Sequence, residues 1–389
     1  MSRVPRVAVA LLCAAALAAC SNSSPGASER IKAASATITV PITSTLSTGT
    51  DTWVVAAMGH LDQPINTFWQ MFVTPGRTRR WALVTPPGVA DNGGLVMTAP
   101  TPASLVAGFR PSLELAFSPL ATSGHPGRWA AGGPVTGGGL ADVPDALSVS
   151  STGRAVALVL GGSGDSEVLA GNRALSQWTT ITSLDALAAD RALGSCDLTE
   201  LTAVAATDAG DYVGGPCTAA GVAGIVRRVG GHLTLAGPAS PGWVHDQVEV
   251  IRLTSDLGRL AALLRLTDGS RVSYAAAWTH PGSGAWSISP AVPRSGRLVS
   301  TGVTATGGFV VETAAAGAAP LAADVSPGAR GWTVLPALPA GTVAVAVSGA
   351  GSDALVLGAN TFADYQLSAR DTWVRAEHFG VSIPYGSSG

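Results

Sequence analysis

Nucleophilic and metal chemistry would fall here to tyrosine, histidine, serine, aspartate and cysteine, so their spacing is the first thing to weigh. A tyrosine nucleophile needs a carboxylate beside it to take its proton. The tyrosines stand at 212, 274, 365 and 385, and the carboxylate nearest Tyr385 is Glu377, eight residues back. Spacing brings out no Tyr–Glu pair. The histidines, at 60, 125, 232, 245, 280 and 378, share no zinc-type spacing. A serine nucleophile needs a Gly-x-Ser-x-Gly elbow between a strand and a helix. Gly161-Gly162-Ser163-Gly164-Asp165 reads instead as a Gly-rich hairpin loop. Asp208 and Asp211 could touch a calcium ion, but Thr207-Asp208-Ala209-Gly210-Asp211 reads as a β-turn in which Asp accepts a backbone hydrogen bond. The expectation is no catalytic residue, no metal and no cofactor.

Composition narrows the scaffold that must position these groups. The chain has 389 residues with 12% charged, 48 Gly, 25 Pro and a mean hydropathy of +0.34. It is too apolar and too weakly charged for a disordered chain. So much Gly and Pro argues against a helical bundle. The net charge is −2 and Lys32 is the single lysine, which leaves no cationic surface for phosphates and excludes nucleic acid as a partner.

The N-terminus reads as an address. Arg3 and Arg6 precede an apolar run from Val7 to Ala18, too short for a membrane span of about 20 residues. It ends in Leu17-Ala18-Ala19-Cys20. These residues resemble the lipoprotein box of bacterial (actinobacterial-type) lipoproteins. The resemblance implies cleavage after residue 19 and a diacylglycerol on the Cys20 thiol. Ser21 to Arg30 is a Ser/Gly/Pro stretch that cannot bury a core, so residues 20–35 are expected to be a flexible tether. The expected location is the extracytoplasmic face of the cell membrane, held by a lipid anchor. Of the four cysteines, Cys13 falls in the signal peptide (1–19) and Cys20 takes the lipid. Cys196 and Cys217 remain, and an exported compartment permits a disulfide between them.

Residues 36–389 read as a repeat. Tryptophans at 81, 129, 178, 286, 332 and 373 are spaced 48, 49, 108, 46 and 41 apart. The gap of 108 is two units of 54, one of which has lost its tryptophan near Gly231-His232-Leu233-Thr234-Leu235. A period of 40–50 with several short strands per unit predicts an all-β, seven-bladed β-propeller of four-stranded antiparallel blades. The units fall near 36–86, 93–133, 145–182, 199–237, 247–290, 298–336 and 341–376, each with strands A to D in chain order. Ser183 to Leu193 holds the one helical pattern. Ala36 to Ile42 and Gly380 to Pro384 both alternate like edge strands, and the C-terminal one is placed as the inner strand that closes the ring beside the first blade.

The turns before the tryptophans are Gly-rich, as in Ser326-Pro327-Gly328-Ala329-Arg330-Gly331-Trp332 and Ser368-Ala369-Arg370-Asp371-Thr372-Trp373. They resemble the Asp-box turn of sialidase-like propellers, though the aspartate is mostly missing. The resemblance implies the architecture, with the tryptophan rings packed between neighbouring sheets. A sialidase-like glycan hydrolase is the enzymatic alternative that it leaves open.

In such a fold the D–A and B–C loops open on one face, where ligands usually sit. Two of these loops supply His60 and Asp62, and Trp243, His245 and Asp246. An aromatic among donors and acceptors suits sugar stacking or a protein hot spot. These five residues are therefore expected exposed or half-exposed on one side, as a tentative ligand site. Cys196 ends the D–A loop into the fourth unit and Cys217 opens its B–C loop. One hairpin returns the chain to the face it left, so both sulfurs should lie there within bridging distance. The reading is a membrane-anchored β-propeller lipoprotein that binds or scaffolds an envelope protein or glycan and catalyses nothing. A structural subunit of an envelope complex is the further alternative.

Overall fold

Alternation of β-branched and small residues, cut by Gly/Ser/Asp turns, dictates short antiparallel strands throughout. Thr342–Ser348 (TVAVAVS) shows the rule: it turns at Gly349 and Ala350 and returns as Gly351–Leu357. Gly351 sits at φ 131°, a conformation L side chains rarely adopt.

The computed structural model describes residues 43–49, 51–59, 67–76, 78–89, 94–109, 120–125, 127–137, 140–141, 144–160, 166–190, 193–194, 196–256, 259–280, 284–294 and 296–381. Cys20, the tether, His60 and Asp62 lie outside them. The described residues belong to one compact unit, Pro41–Gly161 with Asp165–Gly389.

The fold is all-β. Four-stranded antiparallel meanders span 43–83, 95–131, 146–183, 203–235, 247–288, 297–334 and 342–380, close to the expected boundaries. Five stand as separate sheets, and the first and sixth join into one eight-stranded sheet. A small hairpin, Thr136–Gly137 with Leu140–Ala141, lies between the second and third. The expected helical pattern condenses to one short helix, Leu184–Ala188, capped by Ser183, whose hydroxyl accepts from the Ala186 N–H. Among the described residues no helix is long and apolar enough to cross a membrane.

The A strands of successive meanders pack on one another: 95–101 on 146–149, that on 203–207, and that on 247–256. At the seventh meander this order is broken. Its A strand, Thr342–Ser348, touches the A strands of both the sixth and the first, yet those two pair directly with each other. Thr43–Leu46 runs parallel to Ser300–Val303, with Thr45 opposite Gly302. The Thr45 hydroxyl donates to the Val345 carbonyl at 3.0 Å. Only glycine fits at 302, because a Cβ there would collide with the Thr45 hydroxyl. This corrects the expected closure. The inner strand of the first meander is its own segment Thr43–Ser47, not a C-terminal strand. Of the C-terminal candidate, Gly380 ends the outer strand of the seventh meander, and Val381 packs in the first–seventh seam.

The tryptophans do the work assigned to them. Four of the six donate their indole N–H backwards, to a carbonyl just past the outer strand of the preceding meander. The pairs are Trp129 to Val84 (2.7 Å), Trp286 to Ala236 (2.7 Å), Trp332 to Pro290 (2.8 Å) and Trp373 to Pro336 (3.3 Å). Trp81 and Trp178 are buried. Each of the four donating rings thus adds a hydrogen bond to the apolar area it buries. The fourth meander, whose outer strand His232–Leu235 carries no tryptophan, holds the Cys196–Cys217 disulfide instead. Its Cα separation of 5.0 Å meets the expectation.

Between the seventh and first meanders the contact is aromatic and acidic. Phe362 packs on Phe72, Trp81 and Phe379 with centroids 4.6, 5.4 and 4.9 Å apart. Beside them, Arg79 pairs with Asp353 at 2.9 Å and the Trp81 backbone N–H donates to Glu377 at 2.8 Å.

Candidate binding site

The tentative ligand residues divide in the structure. Ser240 caps a 3-10 turn, Pro241–Trp243, its hydroxyl accepting from the Gly242 N–H. The turn swings the indole inward, onto Ala203, Ile225, Val250 and Leu264. Trp243 is only 6% exposed, so the expected stacking platform is core. His245 is exposed and Asp246 half-buried, and the Asp246 backbone ties this loop to Trp243 and Gly221.

Sequence spacing missed a polar row at the same end of the sheets. Glu249, Arg265 and Tyr274 stand directly across from one another on strands A, B and C of the fifth meander. Arg265 pairs with Glu249. Burial pushes the Glu249 carboxyl up; Arg265 opposes this and Glu200 reinforces it. Burial likewise raises Glu200, against the pull of Arg265. Burial also raises the Tyr274 phenol, which the Leu298 backbone counters. This is a tyrosine–glutamate–arginine grouping, but Tyr274 is 2% exposed and the charges are mutually paired. It ties the fifth meander to the sixth and presents no open reacting group. The signal for it was a charged residue within two apolar strands, Val248-Glu249-Val250 and Leu264-Arg265-Leu266.

The opposite end, at the A–B turns, holds a cavity of about 360 Å³. Turns from the first, second, third, fourth and sixth meanders wall it, together with the end of strand A of the fifth. Its character follows from turn chemistry repeated around the sheets. A Ser or Thr opens nearly every turn and its hydroxyl bonds back to the turn backbone, as short hydroxyl side chains do. Thr48 donates to the Asp51 carbonyl (3.1 Å) and Thr207 to that of Gly210 (2.9 Å). Ser150 accepts from the Arg154 N–H (3.2 Å) and Thr304 from that of Gly308 (3.0 Å). The third and sixth turns place a glycine in the left-handed region three residues on, Gly153 at φ 85° and Gly307 at φ 74°. Ser255 donates across to the Ala206 carbonyl at 2.7 Å.

The wall is therefore mostly short apolar side chains with Pro100 and Pro102, studded with hydroxyl and carbonyl oxygens, and Asp208 is the only charged residue among the described ones that line it. Asp208 is fixed by Thr152, whose hydroxyl donates to it at 2.6 Å. Thr207 and Ser255 spend their protons on neighbouring carbonyls, so the lone pairs left over, after Thr207 has accepted from the Ala209 N–H, can accept from a ligand. The cavity lies at the lower end of the size range of small-molecule sites, and it is suited to a ligand rich in O–H or N–H donors. The recurring Ser/Thr-x-x-Gly of the A–B turns was its sequence signal.

No protein-family model matches the chain, and no curated protein sequence matches it. Among solved structures it is similar to the periplasmic gluconolactonase of Pseudomonas aeruginosa, at 15% identity over 84% of this chain and 95% of that one (TM-score 0.49). It is also similar to a mutant Aleuria aurantia lectin in complex with Fucalpha1-6GlcNAc, at 11% identity over 78% and 98% (0.43). A third is AofleA from Arthrobotrys oligospora, at 10% identity over 76% and 86% (0.44). Likenesses this distant assign neither family nor ligand to the chain.

Proposed function

We propose that the chain is a seven-bladed β-propeller lipoprotein that is exported, anchored by a lipid on Cys20, and binds a polyhydroxylated cell-envelope ligand, a glycan, without transforming it. Seven four-stranded meanders support the propeller, their A strands abutting from the second through the fifth and among the sixth, seventh and first, with the seventh blade set back where the first and sixth A strands pair. The apolar run ending in Leu17-Ala18-Ala19-Cys20 supports the anchor. The observation that carries the binding role is the hydroxyl-walled cavity, built by turns from most of the blades rather than by one loop.

Two measurements test this. Cys20→Ser should move the protein out of the membrane fraction and remove the acyl mass from its N-terminal peptide; unchanged fractionation would refute the anchor. The purified full chain in detergent should bind members of a panel of envelope oligosaccharides in calorimetry. Gly49→Phe should weaken that binding by at least about tenfold, roughly the worth of one good contact. Gly49 borders the cavity, and a Cβ there meets nothing nearer than Pro102 at 3.7 Å, so the ring can occupy the ligand's space without disturbing the turn. Binding that survives Gly49→Phe undiminished would place the ligand elsewhere.

A further inference from the structure

Beside the hydroxyl-walled cavity lies a second, smaller one of about 140 Å³. The two share Ala305 and Gly307, so the A–B turn of the sixth meander is their common wall. Chemically they differ. The smaller cavity has an apolar lining of Ala261, Trp278 and Pro327, and one charge, Arg259. Trp278 is 4% exposed and its indole N–H donates to the Gly307 carbonyl at 3.2 Å, which fixes the shared wall. Arg259 is held just as firmly along its backbone. It opens strand B of the fifth meander, and the next residue, Leu260, donates its N–H to the Thr279 hydroxyl at 2.9 Å. Across the hairpin its register partner is Asp256.

We infer that the two cavities form one extended site for an acidic saccharide, in which the sugar hydroxyls fill the larger cavity and a ring carboxylate meets Arg259. The inference rests on the binding role proposed above and names the ligand's charge. A guanidinium presents a planar fork that matches a carboxylate with two parallel hydrogen bonds. Arg259 is exposed at the rim of this cavity, so a carboxylate can reach the guanidinium from solvent and the pairing is open to screening by salt. The larger cavity offers mostly acceptors, so the donors of the ligand belong there. The one strong donor of the pair of cavities, Arg259, is offset to one side. A neutral sugar uses the first cavity and leaves Arg259 idle; a hexuronate uses both.

The test measures the full chain in detergent against oligogalacturonate and its fully methyl-esterified form, with inorganic phosphate and sulfate as separate arms. Oligogalacturonate is expected to bind about tenfold tighter than the ester, the worth of one good charged contact. Added salt should erode the difference. Arg259→Gln should abolish the difference and leave ester binding unchanged, while Arg259→Lys should restore part of it. Equal binding of acid and ester by the unaltered chain, or an acid preference that survives Arg259→Gln, overturns the inference and leaves the neutral-glycan reading standing. Binding of neither saccharide overturns the inference, while the binding role itself is decided by the oligosaccharide panel. Competition by phosphate or sulfate as strong as by the uronate would show a general anion pocket and overturn the saccharide assignment.

Discussion

Asp364→Asn is expected to stabilise the protein at pH 8 by roughly 2–4 kcal/mol and to change it little at pH 4. Asp364 is fully buried on strand C of the seventh meander, opposite Leu355 and beside the aromatic seam to the first. Burial, then the charge of Asp353, pushes its carboxyl from 3.8 up to about 7. Gln366, donating at 3.0 Å, and Arg79 pull the other way without overcoming this, and Trp81 adds only a weak, poorly aligned N–H. Arg79 is committed to Asp353 at 2.9 Å. A folded-state value above the unfolded one means the folded protein holds a proton that the unfolded chain releases. Stability is therefore highest below about pH 4, falls as pH rises toward 7, and stays reduced above it. Asparagine removes the ionisation and keeps a carbonyl for Gln366. Glu312→Gln should act in the same direction. Glu312 is fully buried, pushed from 4.5 to about 7 by burial, and held by one bond from the Ser300 hydroxyl at 3.0 Å. Urea unfolding of each variant at pH 4 and pH 8 decides the matter. A variant less stable than the parent at pH 8 would show that the carboxylate is ionised and partnered.

Removing the Cys196–Cys217 bridge, by Cys196→Ala with Cys217→Ala, is expected to cost roughly 3 kcal/mol in the chain-entropy account of a loop of this size. The sequence separation is 21 residues. The bridged segment is more than a loop. Leu198 pairs with Cys217 in an isolated bridge, and the Thr218 N–H donates to the Asp197 carbonyl at 3.0 Å. Both sulfurs are buried among Leu193, Leu201 and Val213. The fourth meander lacks the tryptophan that ties the second, fifth, sixth and seventh to their predecessors, so it has less to fall back on. Comparing unfolding midpoints of the oxidised chain, the reduced chain and the double variant measures the effect. Coincident midpoints would mean that packing alone holds this meander.

Much of the architecture was legible because it is local. Alternation fixes which residues form strands, and Gly, Ser and Asp fix where they turn, so the meander boundaries within the described residues could be read to within a few residues. The disulfide followed from the same reasoning, since a single hairpin sets where Cys196 and Cys217 return. The tryptophan period carried over as well, because four of the six rings bond to the meander immediately before them.

What the sequence alone could not determine depends on partners far along the chain. Trp243 looked like an exposed platform because the indole type suits either role; only the 3-10 turn and the neighbouring sheet decide that it is core. Glu249 and Tyr274 are 25 residues apart and meet only through the register of three strands. The pairing of Thr43–Leu46 with Ser300–Val303 turns on one missing Cβ at Gly302, and no local pattern announces it. The raised carboxyls of Asp364 and Glu312 are the same case: aspartate and glutamate in a strand are ordinary, and only the sheets packed over them remove the water that would keep them charged. The sequence by itself determined the strands, their turns and their period; the tertiary structure decided burial and register, because those are set by whichever side chains arrive from elsewhere in the chain.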